Sequence, residues 1–497
     1  MIPSRSTLDR AEIVSSLQAL VGSDAVVTDP AALRLASVDR FKKYMSVHGI
    51  FEGPIPAAIV RATSTAMVAQ VLAFADEHRI NIVPRTGGTG TEGGLETIVE
   101  DTVVLDCSPM DTIIEIDEHN MQVTVQCGVP LQVLEDAVRA RGLTTGHSPQ
   151  SKPIAQMGGL VATRSIGQFS TLYGAIEDMV VGLEAVFPGG RIARVKNVPR
   201  RAAGPDIRHI MIGNEGALCV ITEVTVKLFR HYPEHNRFYG FLMDDFGQSL
   251  DALRQLITAG YRPSVTRAYS TQDARQHWDW SGDSNVVILV AEGPKPIADA
   301  TAQAIEELFA TIPHEPVDPA HIRRWFDNLN WGQDKIDAEK ADMLANARLG
   351  YTTEVSVSWS RAGELFDRVM ARVEREFPRF ADLTMLGAHA SHCYQTGTNL
   401  YFVYDYSIHC DPQDEIREYH VPLNGIIVEE ALAVGGSMVH HHGVGKYRTP
   451  WVEEEHGSAY ALLEGLKSTF DPHGIMNAGT IFPVAGFTDP QRGILRP

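Results

Sequence analysis

Three adjacent histidines, His440, His441 and His442, precede Gly443-Val444-Gly445-Lys446. Such a run invites a metal reading. In an extended segment, however, neighbouring side chains face opposite ways, so only His440 and His442 would share a face. Histidine also titrates near neutrality and can relay protons. We therefore expect this cluster to bind a substrate oxygen or move a proton, and expect no metal. A plain loop run is the alternative. Tyr401 lies in Leu400-Tyr401-Phe402, within the aromatic strand expected at 399–406. Most aromatic strand residues pack a core. A phenol, with an ordinary pKa near ~10, serves as a base only beside cationic groups or a histidine, or within a hydrogen-bonded relay. Arg267, in the strand expected at 264–269, projects opposite to Thr266 and Ala268. It is either a solvated charge or a planar fork for a carboxylate or phosphate. His389 and His392, three apart, could ligate something of their own.

These groups need positioning, and glycine-rich turns between apolar strands are the prominent device. Pro84-Arg85-Thr86-Gly87-Gly88-Thr89-Gly90-Thr91-Glu92-Gly93-Gly94 holds five glycines among eleven residues and follows an apolar strand at 80–83. Successive N–H groups in such a turn form a concavity that suits phosphate, and glycine leaves no Cβ in the way. No Gly-Lys-Ser/Thr ends the loop and no GxGxxG opens a helix, so it is neither a P-loop nor a Rossmann fingerprint. Glycine-rich stretches recur at 146–174 and at Gly213-Asn214-Glu215-Gly216. Backbone packed against a long flat ligand explains this recurrence better than turn chemistry does.

Helices are expected at 7–21, capped by Ser6 or Thr7, at 66–78, and from Pro130 onward. Strands are expected at 102–107, 112–117, 122–127, 179–187, 190–195 and 219–229. From about residue 235 glycine thins out. Strands at 238–243, 264–269, 285–291, 351–359 and 399–406 alternate there with helices at 247–259, 298–309, 361–377 and 413–434. Residues 312–320 read as a proline-bearing connector and 321–349 as one polar helical stretch. Gly435-Gly436 permits the reversal that starts a histidine strand beside Tyr401.

The chain has 497 residues, 44% hydrophobic and 21% charged, a globular composition with room for two to four lobes. A formal charge of −19 argues against a general nucleic-acid binder or an anionic-membrane surface. Cys107, Cys127, Cys219, Cys393 and Cys410 form no CxxC pair and read as thiols of a reducing compartment. No uncharged apolar run approaches the ~20 residues of a membrane span. We expect a cytoplasmic homodimer that binds no nucleic acid.

PRTGGTG at 84–90, SPQSKPIAQMGGLVATRSIG at 148–167, YGAIEDMVVGLEAV at 173–186 and GNEGALCVITEVTVK at 213–227 resemble, in order, the FAD segments of the vanillyl-alcohol oxidase superfamily. With His440-His441-His442-Gly443-Val444-Gly445-Lys446, Gly204-Pro205-Asp206-Ile207 and Leu400-Tyr401-Phe402, the chain is most similar there to alkylglycerone-phosphate synthase and its bacterial dehydrogenase-like relatives. The resemblance implies an α+β fold: a two-part FAD-binding domain at 1–234, an α+β cap with an antiparallel sheet at 235–430, and a segment at 431–497 that completes the active site and returns to the FAD domain. It implies FAD held by Pro84, Arg85, Thr86, Gly87, Gly88, Thr89, Gly90 and Thr91, by Pro149, Gln150 and Ser151, by Met157, Gly158, Gly159, Ala162, Thr163 and Ser165, and by Glu215, Gly216, Val220 and Ile221. No histidine or cysteine lies between Pro84 and Gly94, so non-covalent FAD is expected.

The resemblance also matches Tyr401 to the synthase's acid/base tyrosine, the histidine triple to its active-site histidines, and Arg267 to an arginine needed for activity. Lys340 falls near a further arginine of the synthase, although lysine is a point donor and not a fork. D-Lactate and glycolate dehydrogenases ligate a divalent metal with Gly-His-x-x-Asp-Gly-Asn-x-His. Residues 389–401 here lack the acid and carry Tyr401 in place of the second histidine. We expect an FAD-dependent oxidation of a CH–OH group in a small polar, anionic substrate by hydride transfer, with Arg267 and Lys340 binding the anion. The electron acceptor would be an electron-transfer flavoprotein, a quinone or oxygen. The alternatives are synthase-type acyl-to-alkyl exchange through a flavin adduct and 2-hydroxy-acid oxidation of the D-lactate or glycolate type.

Overall fold

The computed structural model describes residues 6–39, 43–51 and 53–484; the end of the segment expected at 431–497 lies outside the described residues. Among the described residues three larger sheets and one two-stranded pair, Leu143–Thr144 with Phe229–Arg230, build the molecule. The first is four-stranded, in the order Val26–Val27, Ala58–Arg61, Val103–Asp106, Ile82–Arg85. Its last three strands are parallel. The crossover helix Thr65–His78 covers it with Val68, Val71, Leu72 and Ala75, one stripe at helical spacing. The strand Ile82–Arg85 runs straight into the glycine-rich loop, at the carboxyl end of the parallel strands, where open α/β sheets bind ligands.

The second sheet is antiparallel, in the order Ile113–Asp117, Gln122–Gln126, Val220–Lys227, Val180–Phe187, Arg191–Val195. The third has seven strands, in the order Glu315–Val317, Arg237–Met243, Asn285–Ala291, Val265–Tyr269, Leu383–Ala390, Gly397–Ser407, Arg348–Ser358. All its pairings are antiparallel. Helices Phe246–Thr258, Lys295–Phe309 and Trp359–Glu376 share a core with it that includes Leu253, Ile305 and Leu365. The register sets Glu354, Tyr401 and His389 side by side on three neighbouring strands. Adjacent positions across a ladder point the same way, so this register aims three functional side chains at one place.

Several local expectations are corrected. The first helix spans Arg10–Val21, and its cap is Asp9, which forms a capping box with Glu12. Neither Ser6 nor Thr7 caps it; Thr7 bonds the carbonyl of His78 instead. The stretch 321–349 is two helices, Pro319–Phe326 and Gln333–Asn346. Between them the Trp331 N–H donates to the Gln150 carbonyl at 3.1 Å, and the Asn330 amide donates to the Pro149 carbonyl at 2.7 Å. The connector at 312–320 contributes the edge strand Glu315–Val317.

The helix Val421–Ala433 ends at Gly435, which takes φ +76°. A Cβ on Gly436 would stand 2.6 Å from the Ser356 carbonyl, so glycine is required there. Ser437 then pairs with Ser356 in both directions, two residues from Glu354. Residues 440–442 are a bend and not the expected strand. Among the described residues no helix is long and apolar enough to cross a membrane.

Candidate active site

A cavity of about 370 Å³ runs from the glycine-rich loop to the face of the seven-stranded sheet that carries Tyr401. Pro84 to Thr91, Pro149 to Ser151, Gly158, Gly159, Ala162, Thr163, Ser165, Glu215, Gly216, Val220 and Ile221 line it. Met157 does not; it is buried in the core beneath. Among the described residues, the backbone N–H groups from Gly87 to Thr91 find no acceptor in the protein, so they remain available to an anion in the cavity. A Cβ on Gly87 would stand 2.5 Å from the Ile154 carbonyl, whereas one on Gly90 would meet nothing within 4 Å. The loop is thus pinned on one side and open on the other. Arg85, half-buried beside Gly88, adds a cation to a cradle otherwise made of backbone. A long, flat dinucleotide with a pyrophosphate fits this donor set. Glu215 stands at its edge with its carboxylate accepting from the N–H groups of Val444 and Gly445, each at 2.8 Å. Burial pushes that carboxyl up to about 7, against the pull of those two donors and of Lys446.

At the other end of the cavity stand Tyr401, His389, Ser391, His392, His441, His442 and Arg267. The Tyr401 oxygen is 3.3 Å from Nε2 of His442. The Tyr401 ring stacks on His389 at 4.8 Å, and His389 Nδ1 lies 2.6 Å from Asp273. His442 turns its Nδ1 to Glu354, 3.1 Å away. Burial works against a charge on His442, but Glu354 and Tyr401 raise its pKa well above the usual histidine value. His441 behaves oppositely: burial, with His442 beside it, holds it well below. Burial also brings His440 down to about 4, and burial with its histidine neighbours lowers His392. The site therefore sets one imidazole that its neighbours favour as a cation among several that burial favours as neutral.

The strand geometry expected for the histidine run is overturned. His440 and His442 do not share a face. Nδ1 of His440 meets Nδ1 of His441 at 2.8 Å, and His442 points away toward Glu354. His440 does not line the cavity; it lies behind His441 and accepts from or donates to the Tyr394 hydroxyl at 2.8 Å. His392, His440 and His441 bring ring nitrogens within 4.8 Å of one another. That spacing would admit an ion, and two of the same rings, His440 and His441, also stand at hydrogen-bonding distance of each other.

Arg267 is 6% exposed, so the solvated-charge alternative fails. Its Nη1 donates to the Tyr269 hydroxyl, its Nη2 to Gln168 at 3.2 Å, and its Nε finds no acceptor among the described residues. The guanidinium also lies 5.3 Å over the Trp325 ring, which fixes its plane. Lys340 is not brought to the site. It is exposed on the helix Gln333–Asn346, and its neighbour Glu339 lines the cavity instead. The register error is one residue of a polar helix whose periodicity gives no firm face.

Glu354, Arg448 and Glu92 escaped the sequence reading. Arg448 Nη2 donates to Glu354 at 2.6 Å and to Glu92 at 3.2 Å, and all three side chains are at most 2% exposed. The one available signal is Glu354 itself, a carboxylate amid a strand whose neighbours are apolar or small.

The two halves of the chain match two sequence families. Residues 56–196 match an FAD binding domain, and residues 232–481 match the C-terminal domain of FAD linked oxidases. A backbone phosphate cradle joined to this second module defines an FAD-linked oxidoreductase, and the chain belongs to that family, with FAD as its cofactor. It is 58% identical over 481 residues to the FAD-linked oxidoreductase YgcU of Escherichia coli, covering 96% of this chain and 99% of the relative. It is 28% identical to alkyldihydroxyacetonephosphate synthase of Caenorhabditis elegans, over 87% of this chain and 77% of that one. The solved structure of p-cresol methylhydroxylase with substrate bound shares the fold at TM-score 0.75 and 16% identity, covering 97% of this chain and 99% of that chain. The expectations of FAD and of a vanillyl-alcohol-oxidase-type fold are thereby met.

Proposed function

We propose that this oxidoreductase oxidises a CH–OH group of a small polar, anionic substrate. The observation that carries the reading is the phenol of Tyr401, set in the cavity 3.3 Å from His442. The bound flavin supplies the acceptor for the hydride that leaves the substrate carbon. Acting as a phenolate paired with the cationic ring of His442, Tyr401 accepts the hydroxyl proton and becomes a neutral phenol as the hydride leaves. Neutral His441, on the same wall, is placed to bind the substrate oxygen. Arg267, its plane fixed by Gln168, Tyr269 and Trp325, orients the anionic group; its Nε is the donor left without a protein partner. FAD would be held by Pro84 to Thr91, Pro149 to Ser151, Gly158, Gly159, Ala162, Thr163, Ser165, Glu215, Gly216, Val220 and Ile221. Lys340 has no part in this reading.

The test is anaerobic mixing of the holoenzyme with 2-hydroxy acids, sugar acids and polyol phosphates. We expect at least one to bleach the visible flavin band. If none does, and acylated dihydroxyacetone phosphate with a fatty alcohol instead yields an ether product, the oxidation reading fails in favour of synthase chemistry.

A further inference from the structure

Glu354 is fully buried on the strand Arg348–Ser358, opposite Tyr401 in the ladder. Its Oε1 accepts three consecutive backbone N–H groups: His440 at 3.2 Å, His441 at 2.8 Å and His442 at 2.7 Å. Three N–H groups converging on one oxygen form an anion nest, with the anion supplied here by the protein. Among the described residues these three donors have no other acceptor. The second oxygen, Oε2, accepts from Arg448 at 2.6 Å and stands 3.1 Å from Nδ1 of His442. One side chain thus holds the backbone of the histidine bend and faces the His442 ring, whose Nε2 lies 3.3 Å from the Tyr401 oxygen.

We propose that Glu354 is the positioning residue of the site: it shapes the 440–442 bend through the backbone and keeps His442 as a cation facing the Tyr401 oxygen. The proposal deepens, and rests on, the reading of Tyr401 as proton acceptor. Charge balance supports it. Glu92 and Glu354 bring two negative charges into a region closed to water, and Arg448 answers one of them. A protonated His442 answers the other. The remaining groups that face His442 are the Tyr401 ring at 5.3 Å and the His441 ring at 4.5 Å, with His440 behind. Glu92 itself lies 3.6 Å from Nδ1 of His442. Without the charge on Glu354, Glu92 and Arg448 balance each other, and burial favours a neutral ring on His442.

The measurement is nuclear magnetic resonance of the FAD-loaded protein labelled at the histidine ring nitrogens, with His442 assigned by its loss in His442→Gln. In the unsubstituted protein we expect both nitrogens of His442 to carry protons at about pH 8, where an ordinary imidazole is neutral. Glu354→Gln keeps an oxygen for the backbone donors, so it should retain FAD and yet show a singly protonated His442 at that pH. With a substrate that bleaches the flavin, its rate–pH profile should move up by about one unit or more; simple misfolding would lower the rate equally at every pH. A neutral His442 in the unsubstituted protein overturns the proposal without any variant. So does a doubly protonated ring in Glu354→Gln. Neither resonance outcome needs a substrate, so the role of Glu354 and the nature of the reaction fail independently.

Discussion

Arg267 illustrates how little of a residue's role its type discloses. Its fork is already engaged by Gln168 and Tyr269, so among the described residues Nε and the edge of the guanidinium that lines the cavity remain for a ligand. Arg267→Ala should retain FAD, since no phosphate-loop residue touches it, and should raise KM for the anionic substrate by roughly 10–100-fold, the scale of a lost hydrogen bond to a charged group. Steady-state kinetics with flavin content measured on the same preparation checks this; an unchanged KM would remove Arg267 from substrate binding. Tyr401 and the histidine run were legible as chemistry because their types are uncommon in such company. Glu354 and Arg448 were not, because a charge on an alternating strand or in a loop reads as a solvent-facing residue until its partners, 94 residues apart, are seen together. Lys340 failed for the opposite reason: on a polar helix every position is plausible.

At the scale of elements, the glycine-rich loop has a more exact requirement than open space. Gly88 takes φ +65°, and a Cβ there would meet the Arg85 guanidinium at 3.1 Å. A β-branched residue at positive φ is a steric outlier. Gly88→Val should therefore strain the turn, displace Arg85 and lose FAD, read as a fall in the ratio of visible to ultraviolet absorbance; a full flavin complement would refute it. A side chain filling the pyrophosphate space is instead the effect at Gly90, which lines the cavity and whose Cβ would meet nothing within 4 Å. Most helices and strands were readable from periodicity, with ends off by a few residues. The exceptions are elements that went unread, the strands Ala58–Arg61 and Leu383–Ala390 and the helices Thr271–His277 and Tyr460–Phe470, together with local departures from periodicity: the capping box at Asp9, the break at 327–332 whose backbone docks onto Gln150, and the bend at 440–442. In that bend, three N–H groups turn toward one carboxylate in place of a ladder. Sequence period cannot show such tertiary hydrogen bonding.

At the scale of the whole molecule, buried neutral histidines make stability depend on pH. Burial lowers His147 to about 3, and His420 and His440 to about 4. In the unfolded chain each takes up a proton near pH ~6.5. Between those values the unfolded state binds more of these protons than the folded one, so the stability these three histidines contribute is full above about pH 6.5 and is lost as pH falls toward 4. The holoenzyme's Tm should fall across that window, and His147→Asn, at a position outside the cavity, should flatten the fall. An unchanged slope in that variant would contradict the assignment of a neutral, buried His147.

The central claim is that Tyr401 receives the proton while the substrate carbon gives up its hydride. Stopped-flow bleaching of the flavin under anaerobic conditions, with a substrate found by the panel, tests it most directly in Tyr401→Phe against the unsubstituted protein. The account predicts that the variant binds FAD normally and that its bleaching rate falls by about 10²–10⁴-fold, the scale of one general base. Bleaching at the unsubstituted rate in a flavin-replete Tyr401→Phe would contradict it.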